Sequence, residues 1–441
     1  MVVLSGESLS ACVILYAFAM PSGITASGYL AGSTGYVASA LLLGINLAAS
    51  VAGSWMLLAV ILDLDSACGD RPRDMGQVGF AVGARRLGKL GKILQYANFF
   101  LFLPVGLDMC ATCVKALFPS LFPPSSEKYT LLCALPCLLL MQVRTVKSKA
   151  LVAFSYITFA LVIIMGIFQV YVVYESPPPT TAIEPMLLFG NPVNGFRGVV
   201  EGALASTAAT WCFVPVFLTA ELASTMESPQ NLFGSVLFSA ACTFASMIIV
   251  GVATVAIWGS SIANPINVSA QWLSSSTARA AEEAFNWILL FANFGAYMLD
   301  SVQLGQATCL RLFPGFRLDD WSLGSSAVYL CATLLPTAGG IALSIFVPDV
   351  FSMLSYSTAL TVSASNHIYP ALVFLHRFPL CKRDDMQSSL LYAEKEEGAR
   401  RSGRSASRGR TLAKAVLTFG TVNSAVCLFA AVGGTVLAQN S

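Results

Sequence analysis

The sequence predicts an all-α membrane protein: eleven transmembrane helices, ten of them in two five-helix halves of opposite orientation, with helices one and six broken. Three observations lead there. The 441 residues are 56% hydrophobic and 11% charged, whereas soluble domains carry about 25% charged residues. The basic residues sort to one side of a membrane. Two apolar segments are interrupted by proline at corresponding places, Met20-Pro21-Ser22-Gly23 and Phe213-Val214-Pro215.

A span needs about 20 apolar residues. The first, 8–31, is broken at Pro21. The second, 34–62, is uninterrupted, and the third, 93–117, carries Asp108. The fourth, 129–143, is short, and the fifth, 150–174, is almost wholly apolar. The sixth, 198–222, is broken at Pro215, and the seventh, 232–258, is continuous. The eighth, 284–310, holds Asp300, and the ninth is 326–347. The tenth, 350–375, holds His367, and the eleventh is 412–437.

Charge tests the count. With the N-terminus inside, the loops 63–92, 144–149, 311–325 and 376–414 hold 21 of the 25 Lys and Arg residues. The outer side holds Lys115, Lys128, Arg197 and Arg279. This is a positive-inside distribution, which a missed span would destroy. It places the C-terminus outside. Asn267-Val268-Ser269 is a glycosylation sequon in a predicted outer loop, so Asn267 is the candidate acceptor. Ser10 to Ala19 has the apolarity of a leader core, but its flank lacks Lys and Arg and contains Glu7, so no cleavage is expected. The polar stretch 376–411 reads as a disordered cytoplasmic linker whose arginines hold topology or touch anionic lipid.

Five spans are an odd number, so the sets 8–174 and 198–375 have opposite orientation within one domain, 1–441. Proline removes a backbone donor. In lipid such a break survives only where the freed backbone faces protein or a water-filled cavity. Matching breaks in two inverted halves point to a substrate site near the midplane of a secondary transporter.

Enzymatic, nucleic-acid and metal chemistries find no footing. There is no P-loop, nucleophile elbow or haem-ligand pair, and the 12 cysteines show no zinc spacing. No catalytic residue, metal or cofactor is assigned. Cys110 and Cys113 lie about one turn apart on a span and read as packing. The expected partners are a small-molecule substrate and the bilayer.

Several stretches carry a family likeness. Met20-Pro21-Ser22-Gly23-Ile24-Thr25-Ala26-Ser27-Gly28-Tyr29-Leu30-Ala31-Gly32 resembles the "L-P-Y-A-F-x-x-x-G-W-x-x-G" stretch of the amino acid/auxin permeases, of the amino acid-polyamine-cation superfamily. Leu218-Thr219-Ala220-Glu221-Leu222-Ala223-Ser224-Thr225-Met226-Glu227-Ser228-Pro229 resembles their "hydrophobic-E-I-Q-x-T-L-K-S-P" sequence. Met75-Gly76-Gln77-Val78-Gly79 with Gly88-Lys89-Leu90-Gly91-Lys92 is similar to their approach to span three, and Tyr369-Pro370-Ala371-Leu372-Val373-Phe374 to their tenth span. The likeness runs over nearly the whole chain in order. Two departures stand out: no Gly-x-Gly precedes the first break near Ile14 to Tyr16, and Pro215-Val216 replaces a Gly-His found in some branches. The resemblance implies a LeuT-like fold and amino acid transport, usually proton-coupled and sometimes sodium-coupled. The expected residence is a plasma membrane or a vacuolar or lysosomal membrane. A transporter-shaped amino acid sensor, or a sodium-coupled carrier of another small organic solute, remains open.

An amino acid brings both charges into low dielectric, where they need partners. Half-helix N-termini would receive the carboxylate, and half-helix carbonyls the ammonium. The candidate substrate residues are therefore Ala17, Phe18, Ala19, Met20, Ser22 and Gly23 of span one, with Trp211, Cys212, Phe213 and Val214 of span six. Trp211 and Phe213 would cap the substrate side chain. An intramembrane acid is costly and functional by default, which nominates Asp108 and Asp300 for proton or ion coupling. By resemblance, Asp300-Ser301 lies where the related fold places an ion site against span one. His367 is a candidate proton relay. Glu221 matches the family glutamate and is the candidate inner gate, with Arg144 or Lys147 as partner.

Overall fold

The structure is a computed structural model that describes residues 6–69, 71–122, 126–144, 149–175, 196–213, 215–258, 276–347, 350–378 and 396–439. Among these residues it is helical with no strand. Eleven membrane elements follow the predicted order. Span one is Gly6–Thr34, span two Tyr36–Cys68, span three Arg85–Leu117, span four Ser126–Leu140 and span five Lys149–Glu175. Span six combines Phe196–Trp211, the short turn Pro215–Leu218 and Thr219–Thr225. Span seven is Leu232–Trp258, span eight Ser276–Leu312 and span nine Leu323–Phe346. Span ten is assembled from Val350–Ser357, two π-helical turns and Tyr369–Arg377, and span eleven is Glu396–Gln439. Among the described residues eight helices are long and apolar enough to cross a membrane, and the bent first span, taken as one, makes nine. Span four has only 15 residues, and span ten is divided, so neither stands out by length.

One expectation fails. The segment 396–411, read as disordered linker, is the start of the 44-residue helix of span eleven. Once an apolar span has nucleated a helix, each added residue costs little, and the Arg, Ala and Glu of this stretch tolerate helix well. Residues 376–378 of the linker close span ten, and 379–395, the sequon at Asn267 and Lys147 lie outside the described residues.

The inner faces of the spans form one apolar core, while Leu135, Ile167, Ile249 and Leu335 stand exposed, each above 60%. Such a girdle of apolar side chains is tolerable only against lipid. The chain is therefore an integral, multi-pass membrane protein. Glycine lets spans touch backbone to backbone: a Cβ on Gly53 of span two would collide with the Asn366 carbonyl of span ten.

On the side bearing the basic loops, the spans are tied together. Arg71 Nε meets Asp65 Oδ2 at 2.8 Å, and its Nη1 donates to the Met226 carbonyl at the end of span six at 2.7 Å. Arg377 of span ten meets Asp63 of span two at 2.6 Å. The short helix Met75–Ala81 is pinned beneath them: Gln95 accepts from Met75 N at 2.8 Å, and the Tyr369 hydroxyl donates to the Met75 carbonyl.

Candidate functional site

The two breaks differ in kind. Span one stays helical from Gly6 to Thr34 but bends by 57° between Phe18 and Gly23. Pro21 has no N–H to offer, so the carbonyl one turn earlier, on Ala17, loses its helical donor. The first break is thus a bend rather than an unwound gap, and it presents no free half-helix N-terminus. Span six does unwind. Its helix ends at Trp211, Cys212 and Phe213 form a turn, and a tight helical turn over Pro215–Leu218 precedes renewed helix at Thr219. The Phe213 carbonyl, released by the break, accepts from Asn366 Nδ2 of span ten at 3.2 Å. Val214, and the side chains of Ala19 and Ser22, lie outside the described residues.

The breaks meet. A Cβ on Gly23 would lie 3.3 Å from Cys212 Sγ and 3.4 Å from Met20 Sδ. Phe18 and Trp211 join an aromatic cluster that sequence reading did not foresee. Phe102 of span three stacks on Trp211 at 4.2 Å and packs against Phe18 at 5.0 Å. Phe217 closes on Phe18 at 5.4 Å and on Phe99 at 5.1 Å. The space between the breaks is thereby filled with rings. Cys212 and Phe213 instead line a narrow cleft with Leu15, Ser50, Ser239 and Thr243, between spans one, two, six and seven.

The candidate ion residues do not form one site. Asp108 accepts from the Ser344 hydroxyl and so ties span three to span nine. Asp300 is 4% exposed, and its Oδ1 has no partner. Its position follows from helix geometry. Tyr297 packs against Gly106 of span three, and Gly295 against Thr158 of span five. At 100° per residue these contacts fall on nearly opposite faces of span eight, and Asp300 turns toward the gap between spans three and one. In the antiparallel register set by Tyr297 and Gly106, Asp300 is level with Leu103, beside Phe102 of the cluster. Ser301 Oγ donates back to its own helix at Met298, 3.2 Å away. His367 lies elsewhere, its Nε2 3.5 Å from Ser50 Oγ and its ring edge-on to Phe419.

The expected pairing of Glu221 with Arg144 is not present. Among the described residues Glu221 makes no ion pair. Arg144 is caged by Trp321, 4.3 Å away, and Tyr329, and donates to the Asp320 carbonyl and to Ser326 Oγ at 2.9 Å. Its charge is engaged by the loop between spans eight and nine. The ties on this side are made by Arg71 and Arg377 instead.

Sequence reading also missed a polar network joining spans two, three, six, ten and eleven. Asn423 Nδ2 donates to Thr210 Oγ1 at 2.9 Å and to Ser363 Oγ at 3.0 Å, and Thr210 donates to Asn46 Oδ1 at 3.0 Å. Thr361 donates to Asn98 Oδ1 at 2.9 Å. Its signal was present: Asn46, Asn98, Asn366 and Asn423 each stand in a different apolar span. Span ten meets this network through its two π turns, Thr358–Val362 and Ala364–Ile368, a local form that concentrates at functional sites. Among the described residues no group of three or more His, Cys, Asp or Glu side chains could hold a metal ion.

No family model matches the chain, and no curated protein matches it. Solved structures do. MhsT in complex with L-phenylalanine has a TM-score of 0.56 at 12% identity, over 97% of this chain and 98% of that one. Mhp1, a nucleobase-cation-symport-1 family transporter in a closed conformation with bromovinylhydantoin bound, has a TM-score of 0.54 at 11% identity, over 98% of this chain and 93% of that one. At such identity the likeness is one of fold, and the fold is LeuT-like, with its broken helices one and six.

Proposed function

We propose that the chain is a secondary active transporter that carries a small organic solute, an amino acid first among them, by alternating access, with the proton as coupling ion. One observation carries this reading. The bend of span one and the unwound turn of span six meet, their rings Phe18 and Trp211 pack with Phe102, and the buried acid Asp300 stands beside that cluster with Oδ1 unpaired. A transport site needs such a junction, because broken helices supply polar backbone without charged side chains. The bound L-phenylalanine and bromovinylhydantoin of the two neighbours support a solute that combines a ring with polar groups.

The filled junction and the ties at Arg71 and Arg377 support a conformation closed toward the basic side. Opening requires Phe102 and Trp211 to part. The motif resemblance favours the amino acid/auxin permeases, and a plasma, vacuolar or lysosomal membrane would each supply a proton gradient. The test is uptake of a panel of labelled amino acids by the purified protein in liposomes, with a pH gradient, a sodium gradient or neither. Uptake driven by the pH gradient is expected. Uptake driven only by sodium would replace the coupling ion, and binding without flux would replace transport by sensing.

A further inference from the structure

Span eight carries three buried polar side chains at intervals of seven: Asn286, Asn293 and Asp300. Seven residues are two helical turns less about 20°, so the three share one face and stand about 10.5 Å apart. Each has an atom without a partner: Asn286 Oδ1, Asn293 Nδ2 and Asp300 Oδ1. Gln303, one turn further in, is 7% exposed and leaves Oε1 unpaired. Among the described residues the amides around Asn423 find partners, and outside span eight Gln169 of span five is the buried amide left unpaired. Four orphaned atoms along one helix face are the mark of a place that water fills, because buried polar groups are nearly always hydrogen-bonded to protein or ordered water.

The stripe has direction. Asn286 is at the outer end, where the neighbouring Trp287 meets Phe118 at 5.8 Å just beyond span three. Asn293 lies level with Cys110, and Asp300 with Leu103, by the register of Tyr297 on Gly106. Of the ionisable groups, Tyr297 on its own helix interacts with Asp300, and Cys110 of span three and Cys137 of span four interact with Tyr297; Asp108 of span three stands level with Gly295 by the same register. None is a base, and the one other acid, Asp108, is engaged with Ser344.

We infer that this face of span eight is a hydrated track that delivers protons from the outer side, past Asn286 and Asn293, to Asp300. At its end a hydronium ion gives one proton to the Asp300 carboxylate, leaving a water and a neutral carboxylic acid. The return of that proton toward Gln303 and the basic side restores the carboxylate. Asn286 and Asn293 are positioning residues that hold the water and do not themselves titrate.

The inference rests on the proposed transport, so the test separates the two. Uptake driven by a pH gradient and solute exchange at equal pH are measured in liposomes for the native protein, Asn293→Leu, Asn293→Ser and Asn286→Leu. Both leucine variants are expected to lower proton-driven uptake about tenfold or more, as loss of a positioned proton-transfer element does. Exchange should stay within about twofold, because substrate binding is untouched. Asn293→Ser, which still holds water, should retain proton-driven uptake. Leucine variants with native proton-driven uptake would overturn the track and leave transport standing. Equal loss of exchange and driven uptake would reduce the asparagines to a packing role. Absence of all flux in the native protein would remove the reading on which the track depends.

Discussion

A carboxylate in the middle of a membrane costs free energy that a leucine would not, and Asp300 bears that cost with Oδ1 unpaired. Asp300→Asn keeps the shape and removes the proton. It is expected to abolish the response of uptake to a pH gradient while leaving exchange partly intact, and a variant that still follows the gradient would remove Asp300 from coupling. Gly23 makes a different demand. It has room for at most a strained Cβ against Cys212 and Met20, so Gly23→Leu should force the breaks apart and stop solute flux; uptake at native rates would show that the junction does not pass solute. At this scale the sequence spoke where chemistry is rare. An acid or a proline inside an apolar span is conspicuous, so Asp300, Pro21 and Pro215 could be singled out. Phe99, Phe102 and Phe217 could not, because phenylalanine in a span looks the same whether it faces lipid or closes a binding site. Asp108 drew the same attention as Asp300 and proved to be a tie to Ser344, a distinction made only by which helix stands opposite.

The order of the spans was readable because apolar length is dictated by bilayer thickness, but the polar helical extensions were not: spans three, eight and eleven start at Arg85, Ser276 and Glu396, well before their apolar stretches. Nor was the nature of the breaks. Pro104 and Pro336 also stand inside spans, yet neither helix bends by more than 40°. What separates span six is the partner it found: Asn366 on span ten accommodates the Phe213 carbonyl that unwinding releases. Asn366→Leu would leave that carbonyl unpaired, a loss of about 1–3 kcal/mol. It should appear as a lower unfolding temperature in detergent together with slower flux, and unchanged stability would deny the bond any role in holding the break. The π turns of span ten were illegible for a related reason: a wide turn is chosen by the hydrogen bonds around it, here those of Ser363, Thr361 and Asn366, rather than by local propensity.

For the molecule as a whole, the distribution of 25 basic residues predicts the orientation of insertion without any knowledge of contacts. The same residues also tie the basic side shut, which charge counting alone does not reveal. Arg71→Ala and Arg377→Ala together should loosen the inner ends of spans two, six and ten. The expected result is greater thiol labelling of a cysteine placed at Ser54 from the basic side, and labelling equal to that of the native arginines would show that other contacts hold this side closed. The stacking of Trp211 on Phe102 has a practical corollary. Any solute that settles between the breaks must separate those rings and change the surroundings of an indole that is now 2% exposed. With only six tryptophans in the chain, replacement of the other five by phenylalanine would leave a protein whose own ultraviolet emission reports occupancy, so that candidate solutes could be ranked by titration in a cuvette with no label on either partner.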